Sequence, residues 1–109
     1  TCAVLVDGEP ALSCLLLPCE MESEKITTIE GLAAGEKLDP LQETFADLGA
    51  AQCGYCIPGI LLAAKSLLRD EPKPPREQIE EALGGNLCRC TGYDKIVRAV
   101  LDTAAEMRN

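Results

Sequence analysis

At 109 residues the chain has room for one compact domain, or for one and part of another. Lys and Arg number 10 against 18 Asp and Glu, the net charge is −8, and Phe45, Tyr55 and Tyr93 are the only aromatics. An acidic surface without basic grooves or stacking rings argues against nucleic acid as a partner, and no run of about 18 apolar residues is present to span a membrane as a helix.

Residues 1–34 read as β-structure. Ala3–Val6, the pair Asp7-Gly8 and the run Ala11–Leu16 spell a hairpin with a turn-forming Asp-Gly. Pro10 has no amide to donate, which weakens the start of the returning strand and makes it an edge strand or irregular. Glu20 to Lys25 is a polar turn, and the β-branched run Ile26-Thr27-Thr28-Ile29 predicts another short strand.

From residue 39 the hydrophobic period becomes helical. Asp39 suits a cap, Pro40 the first turn, and Gln42 completes a capping-box pattern. Leu41, Phe45 and Leu48 share a face, and Gly49 is the stop. A second helix opens at Pro58; Ile60, Leu61, Leu62, Ala63, Ala64, Leu67 and Leu68 make it apolar nearly all round, so it is expected to be buried. Asp70-Glu71-Pro72-Lys73-Pro74 is a solvated connection. A third helix starts near Pro75, buries Ile79, Ala82 and Leu83, and ends at Gly84-Gly85. A fourth presents Tyr93, Ile96, Val97, Val100 and Ala104 on one stripe, with Asp94, Arg98, Asp102 and Glu106 outside. Four helices with short turns predict an up-and-down bundle.

Seven cysteines and no histidine constrain the chemistry. Two tight pairs, Cys53-Gly54-Tyr55-Cys56 and Cys88-Arg89-Cys90, each stand directly before a helix, and a bundle can bring both corners to one end. Helix N-termini favour thiolate over thiol. Four thiolates so placed bind a metal centre with all-sulfur ligation. Close C-x-x-C and C-x-C pairs in a chain without a signal peptide fit metal binding better than a secreted disulfide framework, and place the chain in the cytoplasm. The chain begins at Thr1 rather than Met, so the lack of a targeting segment carries no weight. A structural zinc site uses the same four residues, and spacing alone does not separate zinc from iron–sulfur. Zinc ribbons, however, place their pairs on β knuckles about 15–20 residues apart rather than on helical corners. Cys2 and Cys14 flank the hairpin as a further pair; they are either ordinary buried cysteines or the last two ligands of a plant-type ferredoxin loop whose first two lie upstream of Thr1.

The segments Gln52-Cys53-Gly54-Tyr55-Cys56-Ile57-Pro58-Gly59 and Gly85-Asn86-Leu87-Cys88-Arg89-Cys90-Thr91-Gly92-Tyr93 resemble the paired motifs of the iron–sulfur subunit of molybdenum hydroxylases, the family of xanthine dehydrogenase, aldehyde oxidoreductase and aerobic carbon monoxide dehydrogenase. Cys2–Gly8 through Cys14 looks like the end of that family's ferredoxin-like cluster loop, and Ile26–Leu32 resembles its last strand. The resemblance implies an α+β chain: residues 1–34 as the C-terminal part of a β-grasp, ferredoxin-like domain cut at its N-terminus, and residues 35–109 as a four-helix bundle. It implies that Cys53, Cys56, Cys88 and Cys90 ligate a [2Fe-2S] cluster in the bundle. Cys2 and Cys14 would belong to an outer [2Fe-2S] cluster whose ligand set is incomplete here, and Gln52 and Cys90 would lie near the molybdopterin of a partner. The expected function is electron transfer from the molybdenum of a molybdopterin-binding large subunit toward flavin, as on an FAD-binding medium subunit, or another acceptor. The alternative from a different class is a four-thiolate zinc module for assembly, without redox activity. Cys19 matches no ligand position and reads as a buried or incidental thiol. Tyr55 and Tyr93 read as packing and hydrogen-bonding residues, and Arg89 as an exposed arginine or an offset to cluster charge. No catalytic nucleophile, base or substrate pocket is visible on this chain.

Overall fold

The computed structural model describes residues 2–107. Asp7 and Gly8 both take positive φ, 49° and 85°, the pairing that a two-residue type I′ turn needs. That turn sets Val6 opposite Glu9, so strands β1 (Ala3–Val6) and β2 (Glu9–Leu12) pair antiparallel out to Ala3 opposite Leu12. The returning strand therefore runs over residues 9–12, not 11–16 as expected. Its far end is closed by the Ser13 amide donating to the Cys2 carbonyl at 2.8 Å, after which Ser13–Leu15 curls into a 3-10 helix. Pro10 sits inside β2, opposite Leu5. The turn makes Val6 and Glu9 the hydrogen-bonded pair, so Leu5 and Pro10 fall on a non-bonded pair and the missing amide costs no ladder bond. β2 is an edge strand as expected, in the order β2-β1-β3.

Strand β3 is only Ile26–Thr27, paired with Leu5 and Val6. It stops short of Ile29 because Ile29–Gly31 forms another 3-10 helix, whose Ile29 packs with Leu32 against the helical core. The intervening polar stretch opens on a 3-10 helix at Pro18–Glu20.

Helix α1 (Pro40–Asp47) carries the expected capping box: the Asp39 carboxylate accepts from the Leu41 amide at 3.1 Å, and the Gln42 side chain accepts from the Asp39 amide at 2.9 Å. It ends with Gly49 N–H bonded to Ala46 C=O and Ala50 N–H to Phe45 C=O, a Schellman pattern. Helix α2 (Ile57–Asp70) is the buried one. Ile60, Leu61, Leu62, Ala63, Ala64 and Leu68 are all below one-tenth exposed, because β1 covers one side and the other helices the rest. Near its end Arg69 pairs with Glu9 and Asp70. The hairpin tip has glycine at Gly8 for its positive φ of 85°, and the Arg69 guanidinium packs over it.

Helices α3 (Arg76–Leu83) and α4 (Asp94–Glu106) complete the fold. One core joins Leu41 and Phe45 of α1, Ile60, Ala64 and Leu68 of α2, Ile79 and Leu83 of α3, and Ile96, Val97 and Val100 of α4. The apolar stripe expected on α4 is wider than Ile96, Val97, Val100 and Ala104. Ala99 and Thr103 are also fully buried, and the Thr103 hydroxyl donates to the Ala99 carbonyl at 2.8 Å, so its polarity is satisfied within the helix. Ala82, expected in the core, is only half-buried. The architecture is α+β, a three-stranded antiparallel sheet followed by four helices. Among the described residues, no helix is long and apolar enough to cross a membrane.

Asp39 caps α1 and also pairs with Lys65 of α2. Asp39→Ala is expected to cost about 1–2 kcal/mol in urea unfolding, against less than about 0.5 kcal/mol for Glu36→Ala at an exposed position nearby.

Candidate metal centre

The site forms where the start of α2 meets the loop after α3. Cys56 is the N-cap of α2, and a turn closed by Ile57 N–H to Gly54 C=O holds Cys53 just ahead of it. α2 leads away from this point; residues 71–75 turn, and α3 brings the chain back. Beyond α3 the Asn86 amide donates to the Leu83 carbonyl at 2.9 Å, and Asn86 Oδ1 comes within 2.7 Å of where a Cβ on Gly59 would stand. Glycine in the first turn of α2 gives the Asn86 side chain room for that approach.

The second corner is organised by Tyr93. It is the N-cap of α4 in a left-handed conformation, φ 67°, uncommon for a residue with a side chain. Its hydroxyl donates to the Asn86 carbonyl at 2.9 Å and accepts from the Cys88 amide at 2.6 Å. The Tyr93 amide donates to the Thr91 hydroxyl oxygen at 3.2 Å, and that oxygen lies 3.0 Å from Cys88 Sγ. Asn86, Cys88, Thr91 and Tyr93 are thereby tied into one loop.

The four thiols meet as two pairs, Cys56 with Cys88 and Cys53 with Cys90. Each pair also feels the other, Cys56 through Cys53 and Cys90 through Cys88. Among the described residues, no three His, Cys, Asp or Glu side chains are grouped as a single-ion site. Burial, then the neighbouring Cys88, pushes the Cys56 thiol up to about 11. The Thr91 hydroxyl first, then the Thr91 and Cys90 amides, hold Cys88 down to about 7. Cys53 raises the Cys90 thiol. Cys88 is thus held lower than Cys56 and Cys90, and thiolate is the form that binds metal. A donor set made only of cysteine, with no competing nitrogen ligand, fits an iron–sulfur group.

The hairpin makes a separate pair. The close of the β1–β2 ladder at Cys2 and Ser13 puts Cys14 beside Cys2, which raises the Cys14 thiol. Cys2 is half-buried and Cys14 exposed, so these are not two core cysteines. Cys19 is exposed in its 3-10 helix, so of the two readings the buried one falls and the incidental thiol remains, and all seven cysteines are free thiols. Gln52 and Cys90 lie exposed beside the site, as does Arg89. Tyr55 does not pack: it is 73% exposed, and Leu87 across from it is 84% exposed. These two, with Ala3, Leu12 and Asn86, line a cleft against Cys56, so the end of the sheet reaches the cysteine site. Sequence reasoning missed the Thr91–Cys88 contact. The available signal was a hydroxyl residue three positions after a ligand-type cysteine, at the turn into a helix.

The family model that matches is that of a [2Fe-2S] binding domain, over residues 28–101. The chain is 47% identical over 108 residues to the nicotine 6-hydroxylase small subunit of Paenarthrobacter nicotinovorans, an alignment spanning 99% of this chain and 65% of that protein. It is 47% identical over 103 residues to the xanthine dehydrogenase iron-sulfur-binding subunit of Escherichia coli, spanning 93% of this chain and 65% of that one. The crystal structure of quinoline 2-oxidoreductase from Pseudomonas putida 86 matches with a TM-score of 0.91 at 46% identity, over 98% of this chain and 67% of that chain. The chain spans less than two thirds of either curated relative.

Tyr93→Phe strips the hydroxyl that joins Cys88 N–H to Asn86 C=O. It is expected to cost about 1–3 kcal/mol in denaturant unfolding, whereas Tyr55→Phe, at the exposed rim, is expected to change stability by less than about 0.5 kcal/mol.

Proposed function

The chain belongs to the [2Fe-2S] binding domain family of molybdenum hydroxylase iron–sulfur subunits, and from that premise we propose that it is the electron-transfer part of such an oxidoreductase. It would pass electrons from a molybdenum site on a partner chain toward flavin or another acceptor. The observation that carries the proposal is the contact of Cys56 with Cys88 and of Cys53 with Cys90 where α2 begins and the α3–α4 loop returns. A two-iron core needs two thiolates on each iron, which is two neighbouring pairs; a mononuclear zinc site needs four sulfurs around one ion.

In this reading Cys53, Cys56, Cys88 and Cys90 hold a [2Fe-2S] group, which when bound takes up and releases one electron at a time. The protein supplies the rest. Gly59 lets Asn86 approach, Tyr93 fixes the loop that presents Cys88 and Cys90, and the N-terminal end of α2 offers positive potential to the thiolates. Cys2 and Cys14 contribute two ligands to a second, outer [2Fe-2S] group, with residues 1–34 as part of a ferredoxin-like domain and 35–109 as the four-helix bundle. Gln52 and Cys90, exposed beside the site, face the pterin-bearing large subunit. The exposed apolar pair Tyr55 and Leu87 supports a partner surface there, since large apolar side chains around a polar site mark docking faces. An FAD-binding subunit is the further partner.

Iron and acid-labile sulfide analysis with visible absorption tests this. Purified protein is expected to be coloured and to carry about two irons and two sulfides for its four-thiolate site. Cys88→Ala is expected to lose that complement and to destabilise the helical core, because metal binding couples to folding. Cys19→Ala is expected to leave metal content unchanged. Colourless protein holding one zinc, or a Cys88→Ala protein with full iron content, contradicts the proposal.

A further inference from the structure

We propose that the Thr91 hydroxyl is a positioning group that hydrogen-bonds the Cys88 thiolate and raises the reduction potential of the four-cysteine site; this rests on the ligand assignment proposed above. Thr91 Oγ1 lies 3.0 Å from Cys88 Sγ. Either atom could donate when Cys88 is a thiol, but a metal-bound thiolate has no proton, so the hydroxyl must be the donor. The oxygen is held in place for that task. It already accepts the Tyr93 amide at 3.2 Å, and Tyr93 is anchored by its own hydroxyl to Asn86 and Cys88. One side of the oxygen is thus used by the backbone, and its proton is left to face the sulfur.

Reduction adds one electron and one negative charge; no bond forms or breaks, and the hydroxyl keeps its proton. Part of the added charge falls on the thiolate sulfurs. A donor aimed at one of them interacts more strongly with the reduced than with the oxidised state, which favours reduction. Thr91 is half-buried, so water does not replace its hydroxyl freely. Serine at this position keeps the donor and loses a methyl group. Valine keeps the shape and loses the donor.

The test is an anaerobic redox titration of the purified protein, followed by electron paramagnetic resonance, on the signal that is absent from Cys88→Ala. Thr91→Val is expected to hold wild-type iron and to titrate at a lower potential, while Thr91→Ser stays at the wild-type value. An unchanged potential in Thr91→Val overturns the inference and leaves the ligand assignment standing. So does a Thr91→Val protein that takes up no iron while Thr91→Ser does, because the hydroxyl then serves assembly rather than potential. A wild-type protein with no such signal sinks both the inference and the assignment it rests on.

Discussion

The return of the α3–α4 loop to the first turn of α2 is the constraint on which the site depends. Cys56 and Cys88 are far apart in the chain, and they meet because α3 returns to the start of α2 and its following loop closes against the first turn of that helix. Asn86 Oδ1 stands 2.7 Å from the position a Cβ on Gly59 would occupy, so any larger residue there would have to turn the Asn86 side chain aside. Helix α2 also packs on β1, and Ala3, Leu12, Cys56 and Asn86 line one cleft, so hairpin, helix and loop come together beside the site.

Around that contact the polar groups are arranged to hold negative charge in a protein that is already acidic. The net charge is −8, and an additional cluster of thiolates is unfavourable unless local donors offset it. The donors come from backbone and hydroxyl groups rather than from cations: the positive end of α2, the Thr91 and Cys90 amides, and the Thr91 hydroxyl, all directed at cysteine. Hydrogen bonding of this kind lowers the pKa of Cys88, whereas burial and its neighbour raise that of Cys56. The asymmetry follows from geometry, since Cys88 lies in a loop of free donors and Cys56 lies at a helix end packed against the core.

Much of this was legible in the chain because local chemistry and tertiary packing agree. Asp39-Pro40 with Gln42 names a capped helix start, Gly49 its stop, and the apolar run from Ile60 to Leu68 the buried helix; each is found as read. The cysteine pairs named their own corners. What was misread depended on three-dimensional register. Ala11–Leu16 looks like a strand by composition, yet the two-residue turn starts pairing at Glu9 and the chain bends after Leu12. Pro10 was legible as an edge residue but not as an interior member of β2, which requires knowing that it faces a non-bonded position. Ala99 and Thr103 were left off the α4 stripe because an alanine and a threonine carry weak hydropathy signals, and only packing from α1 and α3 shows them buried. Tyr55, read as a packing residue, stands out in solvent because the turn before α2 points it away from the core.

The central claim is that four cysteines at two helical corners hold a two-iron, all-sulfur centre. Iron-edge X-ray absorption tests it most directly, on protein in which Cys2, Cys14 and Cys19 are all replaced by serine so that only Cys53, Cys56, Cys88 and Cys90 remain. The account predicts a sulfur-only first shell and a second iron as near neighbour of each iron. A shell containing oxygen or nitrogen, or a lone metal without a metal neighbour, would contradict it.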